Sequence, residues 1–353
     1  MIVNELAFSG VPAACFNLSS ELVRLGYKVF VVSASDGPQK ELYEKMGVVV
    51  RVIPSILTDP SASYALAQQV DVALVNTLIG YNCIYGVNAA RTPVLWGIHE
   101  PEFGVQMTTN NPIIRNALRM ATFTIFPSKW SVKNYARFID LDKANVIYTG
   151  TTIKPSDNYV VPFEKDPEAL YVLQLGSIEP RKGQDVLIRA MEEVRTNVKV
   201  IISGRTLDQN YFNKLNETLN TRGIKSVKFT GVLNESSKAA VLQHCDALIM
   251  PSRDELIATV VIEAQALGKP VISSDVGALD EAVLDGKTGY IFPNENYKEL
   301  AKKLDLLYTD KDKRESFGKE AKRLYETERS YQKFVSSYLN LITVAASQRR
   351  PTF

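Results

Sequence analysis

Residues 171–203 read YVLQLGSIEPRKGQDVLIRAMEEVRTNVKVIIS and hold one complete strand–helix–strand unit. Tyr171 to Leu175 is an apolar run of strand length that stops at Gly176. Gly183 to Val194 has the length of a helix, and Val198 to Ser203 is a second strand. A strand that feeds a helix and then a further strand is the building unit of a parallel sheet covered by helices. The alternation continues downstream through Val227 to Thr230, Ala247 to Met250, Val271 to Ser274 and Tyr290 to Phe292.

Upstream the pattern is the same. A strand at Met1-Ile2-Val3 leads to a turn at Ser9-Gly10-Val11-Pro12 and a helix from about Ala13 to Leu25. Cys15, Leu18, Leu22 and Leu25 mark its buried face at helical spacing. Gly26 ends the helix, and strands follow at Lys28 to Ala34, Val48 to Ile53, Val72 to Asn76, Val94 to Ile98 and Thr122 to Phe126. The first strand is short, as though a few leading residues were missing. Residues 150–168, with Gly150, Pro155, Pro162 and Pro167, read as a connector. A last helix, about Arg329 to Ser347, carries Phe334, Tyr338, Leu341, Ile342 and Ala345 on one face. The expectation is an α/β protein of two Rossmann-like, doubly wound domains, 1–160 and 161–328. A terminal segment, 329–353, returns toward the first domain. A cleft between two such domains is lined by strand carboxyl ends and helix N-termini, which favour phosphates.

The 353 residues suffice for two domains, and 45% hydrophobic with 23% charged residues is a globular composition. A formal net charge of +2 argues against a nucleic-acid partner. Cys15, Cys83 and Cys245 are far apart and suggest neither a zinc site nor a disulfide framework. They fit a reducing, cytoplasmic setting. No apolar run nears the roughly 18 residues of a membrane span, and residues 1–10 lack the pattern of a secretory signal.

The chemistry concentrates in residues 251–277, PSRDELIATVVIEAQALGKPVISSDVG. Glu255 stands just before a helix and Glu263 inside it, eight positions on. Along a helix that interval is roughly 12 Å. It matches the distance from a hexose hydroxyl to a ribose hydroxyl in a sugar nucleotide. The diphosphate between them would meet the free N–H groups of the first turn, near Ile257, Ala258, Thr259 and Val260. Taken alone, the pair is equally a helix-terminal charge and a surface residue. The apolar neighbours Val260, Val261, Ile262, Ala264 and Ala266 favour a partner for Glu263. The loop Arg181-Lys182-Gly183 carries two cations from a strand into a helix, suited to a diphosphate or, more plainly, to a solvated surface.

Taken together, these stretches resemble the retaining GT-B glycosyltransferases of family 4. The likeness rests on GSIEPRKGQDVLIRA (176–190), VKFTGVLNESSKAAVLQHCDALIMPS (227–252), the E-x7-E pair and EAQALGKPVISSDVGALDEAVLDGKTGYIFP (263–293). ELAFSGVPAACFNLSSEL (5–22) resembles the family's glycine-containing first loop and helix, while VLWGIHEPE (94–102) and IFPSKWSVKNY (125–135) resemble acceptor-domain segments. The resemblance implies a GT-B fold and transfer of a hexose from a nucleotide-diphosphate sugar to a glycan or lipid-linked acceptor, with retention. It places Glu255 on the donor hexose, Glu263 on the ribose, Lys182 with Arg181 on the diphosphate, and Gly10 beside the phosphate. His99 faces the reacting sugar, so the catalytic set is His99, Glu255 and Lys182. Backbone near Gly204 and Val232 contacts the base. No cofactor and no essential metal are implied; Asp140-Leu141-Asp142 reads as a solvated turn and His244 as structural.

The chain departs from the common pattern at Ser177, where many relatives carry arginine, and at Leu256 and Ala258, where many carry glycine. Phosphate neutralisation would then lean on Lys182 and Arg181, or on Arg205 or Arg253. Residues 113–137, with Arg115, Arg119, Lys129, Lys133 and Arg137 among Ile113, Ile114, Leu118 and Met120, fit a peripheral contact with an anionic membrane at its inner face, or a solvated helix face. Alternatives to transfer are another GT-B enzyme, a nucleotide-sugar epimerase or a phosphorylase, and a non-catalytic sugar-nucleotide-binding protein.

Overall fold

Short runs of Val, Ile and Leu bounded by Gly, Pro and Asn form strands buried on both faces, as parallel sheets require. The computed structural model describes residues 1–7, 10–156, 162–163 and 166–349. Its strands are β1 (Ile2–Val3), β2 (Phe30–Ser33), β3 (Val49–Val52), β4 (Ala73–Val75), β5 (Val94–Gly97), β6 (Phe123–Phe126) and β7 (Ala144–Val146). They continue as β8 (Leu170–Leu175), β9 (Val198–Ser203), β10 (Val227–Gly231), β11 (Ala247–Met250), β12 (Val271–Ser274) and β13 (Gly289–Phe292). They form a sheet of order β3-β2-β1-β4-β5-β6-β7 and a sheet of order β10-β9-β8-β11-β12-β13. Paired strands are parallel throughout, so both halves are Rossmann-like.

The chain divides into two compact units. One is Met1–Gly150 with the segment from Tyr331 onward, and the other is Thr151–Ser330. The divisions thus fall after Gly150 and Ser330, rather than after 160 and 328. In the second unit Val172, Leu187, Val200, Ile249 and Phe292 lie in one core between sheet and helices. In the first, Val75, Ile84, Trp96 and Phe126 fill one face of the sheet. On its other face the helix Tyr331–Ser347 sets Phe334, Tyr338, Leu341 and Ile342 against Leu18, Leu22, Leu74, Leu95 and Ile125. Each such side chain contributes about 1.5–3 kcal/mol when fully buried. Arg329, read from sequence as the start of this helix, belongs to the preceding π-helical turn, Tyr325–Arg329. There it is buried and donates to Gln265 Oε1 and the Ala282 carbonyl.

Two local expectations at the N-terminus are corrected. The first helix runs Gly10–Arg24, so Gly10 opens a helix instead of lying in a loop. Pro12 falls in the first turn, where a missing N–H costs nothing. Leu25 lies beyond the helix and is exposed rather than buried. Phe8 and Ser9, and residues 157–161, 164 and 165 of the expected connector, lie outside the described residues.

Strand order reverses between β8 and β11 in the second unit and between β1 and β4 in the first. Carboxyl ends of strands at such a reversal leave an open crevice, the usual place for a ligand in this kind of sheet.

Candidate functional site

The loops leaving β8 and β11 carry the cations and the first glutamate. After β8, residues 176–183 include a short turn of helix, Pro180–Lys182, that ends on Gly183 with φ +65°. A Cβ on Gly183 would stand 1.9 Å from the Pro251 carbonyl oxygen. Gly277 follows β12 with φ +58°, and its Cβ would stand 1.7 Å from the Glu255 carbonyl oxygen. Only glycine permits either approach, so these three loops lie backbone against backbone.

That packing brings Lys182 onto Glu255. The Lys182 ammonium donates to Glu255 Oε2, and both side chains are mostly buried. Arg181 Nη1 lies 3.6 Å from the same oxygen and donates to the Asp254 carbonyl at 3.1 Å. Its Nη2 reaches Glu179 Oε1 at 3.0 Å. Ser177, standing where a cation was expected from the family pattern, donates its hydroxyl to Glu179 at 2.6 Å. Burial raises the Glu179 pKa, but the Ser177 bond and Arg181 outweigh it, leaving the carboxyl below its usual range. The group therefore holds two cations against two carboxylates.

Arg253 is not a spare cation. Its guanidinium is shared between Asp185, at 2.9 and 2.7 Å, and Glu295. Asp185 also accepts a short bond from Tyr211. Arg205 is exposed.

The helix carrying Glu263 is Thr259–Ala266, with Ala258 extended at its N-cap and no side chain capping it. Half of the interval from Glu255 to Glu263 is therefore loop, and the roughly 12 Å of a continuous helix does not apply. Alanine has no acceptor to offer, so no side chain occupies the first-turn N–H groups as a cap. Leu256 and Ile257 are buried, which leaves their backbone rather than their side chains for a ligand. Glu263 is itself buried and pairs with Lys238 at 2.7 Å. Burial pushes its carboxyl up, against the pull of Lys238. Gly204 lies where a Cβ would meet the Gly176 carbonyl at 1.8 Å, and Val232 is 71% exposed.

In the first unit His99 follows β5. Burial pushes its pKa down to about 4, so the ring is neutral at pH 7. Its Nε2, like Asn76 Nδ2, is buried without a hydrogen-bond partner among the described residues. A Cβ on Gly97 would fall 2.8 Å from both His99 Nε2 and Asn76 Oδ1, so glycine leaves room for the two side chains to converge. Glu100 organises the surroundings. Its carboxylate accepts from Thr77 Oγ1 at 2.8 Å, Leu78 N at 2.8 Å and His99 N at 2.9 Å. One side chain thus ties the loop after β4 to the loop after β5. Burial raises its pKa, with these bonds opposing. Glu100→Ala strands two backbone donors, each costing about 1–3 kcal/mol if left unsatisfied. A lowered thermal midpoint is expected; an unchanged one would remove Glu100 from this role.

The remaining residues take ordinary places. Asp140 Oδ1 accepts from Asp142 N at 3.2 Å in a surface turn. His244 packs edge-on against Tyr171, 5.3 Å between ring centres. Arg115 bonds the carbonyls of Thr108 and Thr109, and Arg137 bonds the Thr109 hydroxyl. Arg119, Lys129 and Lys133 are exposed, as are Ile113 and Phe103. No helix among the described residues is long and apolar enough to cross a membrane.

The structure brings Arg181, Lys182 and Glu255 together and puts Glu263 on an adjoining helix with its own partner. Sequence reasoning missed Lys238, Glu100 and Asn76. Lysine directly before the apolar run of 239–242 was the one available signal.

Comparison with known proteins agrees with this architecture. Residues 8–154 match the model of Glycosyltransferase Family 4, and residues 156–324 match that of Glycosyl transferases group 1. An uncharacterized glycosyltransferase of Methanocaldococcus jannaschii is 29% identical over 150 residues, 42% of this chain and 41% of that protein. The D-inositol 3-phosphate glycosyltransferase of Jonesia denitrificans is 31% identical over 201 residues, 52% of this chain and 47% of its own. The chain thus spans about half the length of these curated relatives. The crystal structure of Anabaena HepE with UDP and glucose superposes with a TM-score of 0.81 at 19% identity, covering 97% of this chain and 98% of that one. Both halves are thus matched in order by glycosyltransferase models, and the chain shares the GT-B fold along its whole length.

Proposed function

We propose that the protein is a retaining hexosyltransferase that takes its sugar from a nucleoside-diphosphate donor and passes it to a glycan or lipid-linked acceptor. The observation that carries this reading is the Lys182–Glu255 contact with Arg181 beside it, at the reversal of strand order. An arriving diphosphate takes over the lysine, and the released carboxylate accepts a hexose hydroxyl. Uncapped N–H groups at Thr259 and Val260 add positive potential. Glu263 holds the ribose, backbone at Gly204 and Val232 meets the base, and Gly10 and His99 meet the phosphate and the reacting sugar. The departing diphosphate is stabilised by Lys182 and Arg181 and accepts the acceptor's proton on the face it leaves. These cations supply the charge, so transfer is expected to proceed unchanged in excess EDTA.

UDP-sugars are the first donors to try, because Anabaena HepE was solved with UDP-glucose. A bound donor at a hundredfold excess over its dissociation constant should stabilise the protein by about 2.7 kcal/mol. Failure of every sugar nucleotide to raise the thermal midpoint would sink the proposal. The anomeric configuration of the product, read by NMR, tests retention separately.

The same reading places the protein at the cytoplasmic face of a membrane, through exposed Ile113 and Phe103 with Arg119, Lys129 and Lys133. Flotation with liposomes is expected only when anionic lipid is present. Equal recovery with neutral lipid would exclude it.

A further inference from the structure

Lys238 is out of character with its surroundings. It lies in the helix Glu235–His244, followed by Ala239, Ala240, Val241 and Leu242, all buried. Its side chain is only 18% exposed, and a lysine that far from water needs a partner. It has two: Glu263 Oε1 at 2.7 Å and, toward solvent, Glu235 Oε2 at 2.8 Å. Its hydrogen bond to Glu263 spans 25 positions, so it ties two separate helices together. The Glu263 side chain is 8% exposed. The Lys238 bond is made to Oε1, which leaves Oε2 as the carboxylate's second acceptor.

We infer that Lys238 is a positioning residue for the donor: its ammonium fixes the Glu263 carboxylate in one orientation, with one oxygen left over for the vicinal hydroxyls of a nucleoside ribose. This rests on the donor-binding reading given above.

The chemistry of the acceptor makes the lysine necessary. An ionised carboxylate accepts from both hydroxyls of a diol, whereas a protonated one spends an oxygen as a donor. Burial favours the protonated form of Glu263, and Glu235 adds to that tendency. Lys238 is the group that opposes them. Its own burial disfavours its charge, but Glu263 and Glu235 together hold it above its ordinary pKa. These are the charged groups set against Glu263 among the described residues. Removing the ammonium therefore raises the Glu263 pKa further. Affinity for the ribose stays intact at alkaline pH and is lost as pH falls through that raised value. With lysine in place the loss comes at lower pH.

The test is the dissociation constant of UDP for the full-length protein, measured by calorimetry from pH 5.5 to 8.5 with Lys238→Met, Lys238→Arg and Glu263→Gln. At the acid end of that range Lys238→Met is expected to bind more weakly than the native protein, by at most about tenfold for each pKa unit that Glu263 gains. The gap closes toward pH 8.5, and Lys238→Arg follows the native curve. Titration of the nucleotide's own phosphate is common to all variants and cancels in the ratio. With 2′,3′-dideoxyuridine diphosphate the gap disappears, because the diol is gone. Lys238→Met equal to native at every pH, tighter than native, or weaker by one constant factor would each overturn the inference. Glu263→Gln binding UDP as the native protein does at pH 8.5 would end the ribose role of Glu263 itself. No binding of UDP or any other nucleoside diphosphate by the native protein would fell the donor reading first, and this inference with it.

Discussion

Lys182→Ala is expected to reduce sugar transfer roughly 100- to 1000-fold, the usual effect of removing one group that stabilises developing charge. Glu255→Ala should fall in the same range for a different reason. On the proposed donor reading, the first variant lacks the ammonium for the phosphate, while the second lacks the carboxylate for the hexose and leaves Lys182 without its partner. The two side chains touch, so the double variant is expected to lose much less than the product of the single losses. Steady-state kcat/KM for all three proteins measures this. A multiplicative loss would show that the two groups act separately. Arg181 limits the damage in either case, since it stands 3.6 Å from the same glutamate oxygen and can approach the phosphate. Lys182→Arg should restore little, because a guanidinium fork does not fit a site shaped for a single ammonium.

Gly277→Ala should cost the fold heavily for a single added methyl group. Two penalties combine. A non-glycine residue at φ +58° carries strain on the order of 1–3 kcal/mol. The added carbon would also stand 1.7 Å from the Glu255 carbonyl oxygen, so the loop must move, at a further cost on the order of 1–3 kcal/mol. Gly223 separates the two terms. It has φ +65° and nothing within 4 Å of its would-be Cβ, so Gly223→Ala carries strain alone. Denaturant unfolding should place Gly277→Ala well below Gly223→Ala. Equal values would mean that the approach to Glu255 does not matter. Displacing Glu255 also predicts weaker donor binding in Gly277→Ala, which Gly223→Ala should not share.

Much of this architecture could be read from the chain. Strands such as Val198–Ser203 and Val271–Ser274 are apolar runs closed by polar residues, and both sheets follow from their alternation with helices. Roles for Lys182 and Glu255 on one donor were implied by resemblance, but their direct contact, whose geometry the glycines at 183 and 277 supply, was not. What stayed hidden were partnerships across the fold. Arg253 looks available in sequence, yet its guanidinium is taken by Asp185 and Glu295, 68 and 42 positions away. Glu100 finds Thr77 across 23 positions because β4 and β5 are neighbours in the sheet. Periodicity reports which face of an element is buried. It carries no record of which polar groups meet once the strands are ordered. At Pro12 a local signal misled, since proline marks a turn in sequence but is equally at home in the first turn of a helix.

The helix Tyr331–Ser347 has a bearing on how the polypeptide comes into being. A ribosome releases residues 1–150 long before the segment that seals Leu18, Leu74 and Leu95 exists. The intervening unit, Thr151–Ser330, is continuous and can mature in the meantime. The nascent amino-terminal half must wait with an oily flank uncovered, a natural client for a chaperone. A stop codon anywhere before Tyr331 would leave it in that condition permanently.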